Sequence, residues 1–179
     1  AGGIAGVNAD DPQLATIVGA AGKRKIVDFA LAARASVTGD YSLTALASEI
    51  RVHTPAGDAS AALAIPGRHN VCNALAAAAS AFAAGIPPAA IGEGLNAFRP
   101  CAGRMQVKSL ASGATLIDDS YNANPDSVRA AIDVLASAGD GAVLVLGDMG
   151  EVGDQGPDFH LEVGRYAAER GIGALYALG

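Results

Sequence analysis

The run Asp118-Asp119-Ser120-Tyr121-Asn122-Ala123-Asn124-Pro125 decides how this chain is read. It follows a short apolar stretch, Ala114-Thr115-Leu116-Ile117, and precedes a helical pattern from Asp126 to Ala138. Strand, polar turn and helix in that order make one step of an α/β fold. In open α/β sheets, ligands sit in the crevice at the carboxyl ends of the strands. A purely structural turn needs one capping side chain and a glycine. This turn carries two carboxylates, a phenol and two carboxamides, a set suited to a polar ligand.

Working outward, Ala142 to Leu146 reads as a continuous apolar strand of the buried parallel kind. Phe159 to Arg170 reads as an amphipathic helix, and Ala174 to Leu178 as a further strand. This β-α-β-α-β order predicts a parallel sheet with right-handed crossovers. Two of its strands end in Asp118-Asp119 and Gly147-Asp148, so Asp119 and Asp148 are expected to face one crevice. Asp148 serves equally well as the cap of its own turn. Asn124 has the place of an N-cap, with Pro125 at the first helical position. Arg104 to Leu110 and Ala114 to Ile117 form a hairpin around Ser112-Gly113.

Upstream, Gly3 to Val7 is a strand ending at Asn8-Ala9-Asp10-Asp11. Pro12 opens a helix to about Ala20, with Asp11 as its cap. Lys25 to Phe29 is a strand. Thr44 to His53 and Ala59 to Ile65 flank the turn Thr54-Pro55-Ala56-Gly57-Asp58 as a hairpin. Pro66-Gly67-Arg68-His69-Asn70 leads into an Ala-rich helix to Ala84, which Gly85 stops. Pro87-Pro88 opens another helix, ending near Phe98. Arg99-Pro100-Cys101-Ala102-Gly103 reads as a linker, and the sequence shows no internal repeat. The chain stops directly after a strand, which a doubly wound domain rarely does, so a longer parent protein is expected.

Composition narrows the classes. The chain has 179 residues, enough for one ordinary domain or two small ones. About half are apolar but only 4% are aromatic, which implies close helix-on-sheet packing through Ala and Gly. A net charge of −6 argues against a general nucleic-acid surface. Cys72 and Cys101 match no metal or redox spacing. Cys72 is expected to be a buried small hydrophobe, and the absence of a disulfide framework points to a reducing cytoplasm. No signal peptide is visible. The apolar run Val71 to Ala84 is too short to span a bilayer.

Other polar groups carry weight beside their structural readings. His69, Asn70 and Asn73 open the Ala-rich helix, and Asn70 and Asn73 share one helical face. A carboxamide offers both donor and acceptor, which suits a purine edge. Asn is a poor interior helix former, which favours ligand contact for the pair; His69 serves equally as a structural histidine. Arg104, next to Gly103, fits phosphate or ribose oxygens through charge-assisted bonds, and fits a surface salt bridge as well. Gly19-Ala20-Ala21-Gly22-Lys23-Arg24 fails as a phosphate loop, because Lys23 is followed by Arg24 and the glycine spacing is wrong. Lys23, Arg24 and Lys25 are expected to form a solvated rim. Glu151, His160 and Glu162 take structural readings, since His160 and Glu162 do not share a helical face.

Together these segments resemble the Mur ligase family. The resemblance rests on Asn8-Ala9-Asp10-Asp11, Pro66-Gly67-Arg68-His69-Asn70-Val71-Cys72-Asn73-Ala74, Gly103-Arg104, Asp118 to Pro125, and Gly147-Asp148-Met149-Gly150-Glu151-Val152-Gly153. The run Asp118 to Pro125, with Gly147-Asp148-Met149 and the later His160, is similar to the branch that joins D-alanyl-D-alanine to UDP-N-acetylmuramoyl-tripeptide. The resemblance implies an α/β chain: the end of a central ATPase domain (residues 1–100), then an incomplete Rossmann-like C-terminal domain with a parallel sheet (101–179).

It also implies ATP-dependent amide formation through an acyl phosphate, in cytoplasmic bacterial peptidoglycan precursor synthesis. ATP with Mg²⁺ is the implied cofactor, and a monomeric parent enzyme is implied. By resemblance, His69, Asn70 and Asn73 lie near the adenine, and Arg104 and Asp119 contact ribose or phosphates. Tyr121, Asn122 and Asn124 line the meeting point of nucleotide and dipeptide. Polar groups on either side of Pro100 are thus expected to converge on one nucleotide. The family's Gly-Lys-Thr/Ser phosphate loop, acidic Mg²⁺ ligand and carbamylated lysine have no counterpart in this sequence, and Val152 stands where the family usually has Leu. No catalytic residue or metal ligand is therefore assigned, and the chain alone is expected to be inactive. The rival readings are another Mur-type ligase, a folylpolyglutamate synthetase relative, or a non-catalytic nucleotide-binding module.

Overall fold

The computed structural model describes residues 3–150 and 152–179. The chain divides into two compact units. The first runs to Leu43 and continues through Ser48–Ala64 and Arg68–Phe98; the second holds Arg99–Gly179 with two short segments, Thr44–Ala47 and Ile65–Gly67.

In the first unit the elements are β1 (Ile4–Asn8), α1 (Leu14–Ala21), β2 (Lys25–Ala30), β3 (Val37–Leu43), β4 (Ser48–Thr54), β5 (Gly57–Leu63), α2 (Arg68–Ala83) and α3 (Pro88–Ala97). The strands form one sheet in chain order. β1–β2 and β2–β3 are parallel, whereas β3–β4 and β4–β5 are antiparallel. Helix α2 packs across β1 to β4. It buries Val71, Leu75, Ala78 and Ala79, a stripe at helical spacing. Val27, Val37, Ile50, Val52 and Leu63 supply the sheet's side of this core.

The differences from expectation have local causes. β3 was not anticipated, because Gly39 and Asp40 are unfavourable strand residues. A Cβ at Gly39 would meet the Arg51 carbonyl, Ile50 Cδ1 and Leu75 Cδ1, each at 3.4 Å, which is ordinary van der Waals contact. The hairpin turn is tighter than expected, with only Pro55-Ala56 between paired Thr54 and Gly57. Thr54 Oγ1 donates to the Gly57 carbonyl (2.8 Å) and accepts from the Ala56 N–H (3.1 Å). Helix α1 begins at Leu14 rather than Pro12, because Asp11 Oδ1 accepts the Gln13 N–H at 2.7 Å and holds a turn ahead of the helix. Helix α2 begins at Arg68, so Asn70 lies inside its first turn and is not its cap. Gly85, at φ +84°, ends that helix as expected. Cys72 is only half-buried, and burial raises its thiol pKa.

The second unit contains β6 (Gln106–Ser109), β7 (Thr115–Asp118), α4 (Pro125–Ser137), β8 (Val143–Leu146), a short 3-10 turn (Gly153–Gln155), α5 (Gly156–Glu169) and β9 (Ala174–Ala177). β6 and β7 form the expected antiparallel hairpin, and β8 and β9 pair in parallel. The expected three-stranded parallel sheet is corrected. Among the described residues, β7 has no ladder to β8. Elements adjacent in sequence are not always neighbours in a sheet, and here chain order overstated the pairing. β8 is also not buried on both faces. Leu144 and Leu146 pack on the core of Val128, Ile132, Met149, Val163 and Ala167, while Val143 and Val145 are exposed. Among the described residues no helix is long and apolar enough to cross a membrane.

Candidate functional site

In the first unit, the polar group at the start of α2 forms a chain of contacts. Asn70 Nδ2 donates to His69 Nε2 at 2.9 Å, and Asn73 Nδ2 lies 3.5 Å from Asn70 Oδ1. His69 and Asn70 are partly buried, whereas Asn73 is exposed. The structure thus brings together the three residues expected at the adenine. Arg68, beside them, donates through Nε to the Tyr41 hydroxyl at 3.3 Å.

Asp10 lies just past the carboxyl end of β1, and the sequence alone assigns it no role. Its carboxylate accepts the backbone N–H groups of Leu31 (2.7 Å), Ala32 (3.1 Å) and Ala33 (2.7 Å). Burial pushes its pKa up. The three N–H groups and the Arg68 charge outweigh that and hold it below the ordinary value. The only sequence signal was an Asp just past a strand, which many turns share.

In the second unit, two turns far apart in sequence lock together. The Tyr121 N–H donates to the Gly103 carbonyl at 3.0 Å, and the Met105 N–H donates to Asp119 Oδ1 at 3.0 Å. Between these two bonds, the Arg104 guanidinium lies over the Tyr121 ring, 4.0 Å from its centroid. Gly103 is required by this approach: at φ +70° a Cβ would lie 3.1 Å from the Tyr121 nitrogen and 3.3 Å from its Cβ. Met105 adopts φ +49°, a conformation uncommon outside glycine, asparagine and aspartate. Its backbone is held there by the Asp119 bond and its side chain is buried. Sequence reasoning missed Met105, because nothing in a methionine announces a left-handed backbone. Arg104, Asp119 and Tyr121, all expected at the site, are therefore assembled as one group.

The rest of the turn divides its duties. Asp118 pairs with Lys108 Nζ at 2.6 Å and accepts the Ser120 hydroxyl at 2.7 Å. Lys108, then Ser120, hold its pKa at about 2, so it is a committed anion that braces β7 against β6. Asn124 caps α4: its Oδ1 accepts the Ser127 N–H at 2.9 Å, and Ser127 Oγ accepts the Asn124 N–H at 3.0 Å. Asn122 and Tyr121 are exposed.

Asp148 is exposed and lies 4.0 Å from His160 Nε2. No described contact joins it to Asp119. His160 Nδ1 meets the Gly156 carbonyl at 2.7 Å, and the Met149 N–H donates to Nε2 at 3.0 Å. A carbonyl demands a donor and an N–H demands an acceptor, so the ring carries its proton on Nδ1. This fits the structural reading of His160. Glu162 pairs with Arg129, as a structural residue should. Glu151 lies outside the described residues. The rejected phosphate loop closes a helix: Gly22 is the C-cap of α1, and Arg24 Nη1 donates to the Ala21 carbonyl. Among the described residues, no group of three or more His, Cys, Asp or Glu is placed to hold a metal ion. An open depression of about 530 Å³ lies over β3 to β5, edged by Asp40, Glu49, Arg51 and Asn96, and it includes none of the expected site residues.

Known proteins similar to this chain cover both of its halves. The Mur ligase middle domain matches residues 1–81, and the Mur ligase, glutamate ligase domain matches residues 103–179. The UDP-N-acetylmuramoyl-tripeptide–D-alanyl-D-alanine ligase of Escherichia coli (strain K12) is 38% identical over 179 residues, covering 99% of this chain and 40% of that protein. The ligase of the same name from Mycobacterium tuberculosis (strain ATCC 25618 / H37Rv) is 35% identical over 182 residues, covering 97% of this chain and 36% of that protein. A crystal structure of MurF from Acinetobacter baumannii superposes with a TM-score of 0.92 at 36% identity, over 99% of this chain and 39% of that one. The chain thus spans about two fifths of the length of these relatives. With two successive family domains matched in order over most of the chain, the chain belongs to the Mur ligase family.

Proposed function

We infer that this chain is part of an ATP-dependent ligase that joins D-alanyl-D-alanine to UDP-N-acetylmuramoyl-tripeptide in bacterial peptidoglycan precursor synthesis. Residues 1–100 are the C-terminal half of its central ATP-binding domain, and 101–179 the first part of its Rossmann-like C-terminal domain. The observation that carries this reading is the locked pair of turns that sets Arg104 against Tyr121 and ties Asp119 to the same backbone. The names of the similar proteins support the choice of substrates.

The chemistry asks for such a group. A carboxylate is a poor electrophile, and its phosphorylation by ATP supplies a leaving group for attack by the dipeptide amine. Catalysis then depends on positioning and on neutralising phosphate charge. Arg104 and Asp119 are assigned to ribose or phosphate, with Arg104 as the cation. His69, Asn70 and Asn73 fit an adenine edge, because carboxamide and imidazole offer donors and acceptors side by side. Tyr121, against Arg104, and Asn122, its neighbour in sequence, are exposed and suit the meeting point of nucleotide and dipeptide. Asn124 is assigned to that place too, through groups its capping bonds leave over. Mg²⁺ would accompany ATP, and no residue of this chain is assigned to it. The parent enzyme is read as cytoplasmic and monomeric.

The test uses the full-length ligase. Asp119→Ala is expected to raise the KM for ATP by roughly 10- to 100-fold, the range for a lost charged hydrogen bond, with less change for D-alanyl-D-alanine. Unchanged nucleotide affinity and turnover reject the assignment. D-alanyl-D-alanine should be the preferred acceptor-side substrate in a screen against single amino acids. Preference for a diamino acid or glutamate would replace this reading with one of the sister ligases or a folylpolyglutamate synthetase.

A further inference from the structure

We propose that Tyr121 is a positioning residue: the face of its ring, not its hydroxyl, holds the Arg104 guanidinium in the orientation that meets the nucleotide. This rests on the assignment of Arg104 to ATP and goes beyond it. Arg104 lies 4.0 Å from the Tyr121 ring centroid, well within the range of a cation–π contact. The contact is built by the backbone. Tyr121 N–H to Gly103 carbonyl (3.0 Å) and Met105 N–H to Asp119 Oδ1 (3.0 Å) clamp the residues on either side of Arg104 to the turn that carries the tyrosine. Gly103 leaves no room for a side chain between the two turns.

The physical need is specific. An exposed arginine samples many rotamers, and ordering it on a ligand costs conformational entropy. A planar guanidinium stacked on a ring loses much of that freedom beforehand, while its edge N–H groups remain available to an anion. A ring face supplies this; a hydroxyl does not. Phe at 121 therefore suffices for the nucleotide side, and Leu does not.

The experiment is a double-mutant cycle in the full-length ligase, with KM for ATP, KM for D-alanyl-D-alanine and kcat measured separately and folding followed by thermal melting. Tyr121→Phe, which keeps the ring face, should raise the KM for ATP less than Tyr121→Leu does, whatever its effect on the KM for D-alanyl-D-alanine. Tyr121→Leu should raise the KM for ATP by about two- to five-fold, the size of an exposed cation–π contact, with the melting midpoint unchanged. In an Arg104→Ala background, Tyr121→Leu should add nothing further. If Arg104→Ala raises the KM for ATP but Tyr121→Leu adds its full effect on top, the two residues act independently, and this inference fails while the assignment of Arg104 to ATP stands. If Arg104→Ala itself leaves ATP use unchanged, both fail. If Tyr121→Phe proves as damaging as Tyr121→Leu, the hydroxyl is the working group and the positioning role is overturned.

Discussion

His53 stands between two carboxylates: its Nε2 lies 3.0 Å from Asp40 and its Nδ1 3.0 Å from Asp58, on the outward side of β3, β4 and β5. Arg51 Nη2 meets Asp58 at 2.9 Å, which completes the set of charges around the ring. The bond to Asp40, then that to Asp58, raises the His53 pKa above its ordinary value of 6.5. The pair with His53, then Arg51, lowers that of Asp58 below 3.8. The signs bound one interaction from both sides. A raised imidazole pKa means stabilisation that is full below 6.5 and is lost as pH rises through the folded value. A lowered carboxylate pKa means stabilisation present above 3.8 and lost as pH falls through the folded value. We therefore expect the melting midpoint of the parent chain to fall between pH 6 and pH 9 relative to His53→Gln. Because the groups are largely exposed, the difference is small, about 1–4 °C. Parallel midpoints for the two proteins across this range would show that the network contributes nothing. The polar crowding of Asp118 to Asn124 was legible because residue types alone betray it. The clamps made by the Asp10 and Asp119 carboxylates were not, since each accepts a backbone N–H brought in by the fold, 21 and 14 residues away.

At the scale of the element, α4 shows how one residue holds two readings at once. Asn124 was expected both to cap this helix and to line a substrate site. The structure gives its Oδ1 to the Ser127 N–H, with the reciprocal bond from the Asn124 N–H to Ser127 Oγ. Loss of an N-cap costs about 0.5–2 kcal/mol, and another good capping residue restores it. Asn124→Ala should therefore destabilise the unit containing α4 by about 1 kcal/mol, and Asn124→Ser should recover most of that. Chemical denaturation measures both; equal loss for Ala and Ser would mean that the carboxamide serves something other than the cap. Helices were the legible elements here, through proline at their starts and glycine at their ends: Pro88 and Pro125 open α3 and α4, and Gly85 ends α2. Strands were less legible. β3 hides behind Gly39 and Asp40, two residues that disfavour strands by their local preference. β7 shows itself as a short apolar run, yet its lack of a ladder to β8 is decided by tertiary placement.

For the molecule as a whole, charge and apolar exposure pull in opposite directions. In β8 and β9, Val145 pairs in register with Tyr176, so both point to the same face of the two-stranded sheet. Leu144 and Leu146 turn to the other face and pack on the core. Val143, Val145, Tyr176 and Leu178 are left exposed, at 49%, 61%, 62% and 63%. Contiguous apolar surface of this kind favours association. The net charge of −6 opposes it, because like-charged copies repel. Salt decides between the two, since the screening length falls from about 30 Å at 0.01 M to about 8 Å at 0.15 M and leaves apolar burial unaffected. The 179-residue chain is therefore expected to self-associate in a concentration-dependent way at physiological salt, and to move toward monomer as salt is lowered. Val145→Lys with Tyr176→Lys should shift it toward monomer at physiological salt, because it places charge in the middle of the patch while leaving the inward-facing leucines in place. These changes make the net charge less negative, so a general loss of repulsion would drive the variant the opposite way, toward association. Sedimentation velocity across a concentration series separates the two. A parent chain that stays monomeric at every concentration and salt, or a double-lysine variant that associates more strongly than the parent, would show that this face does not govern the behaviour of the molecule.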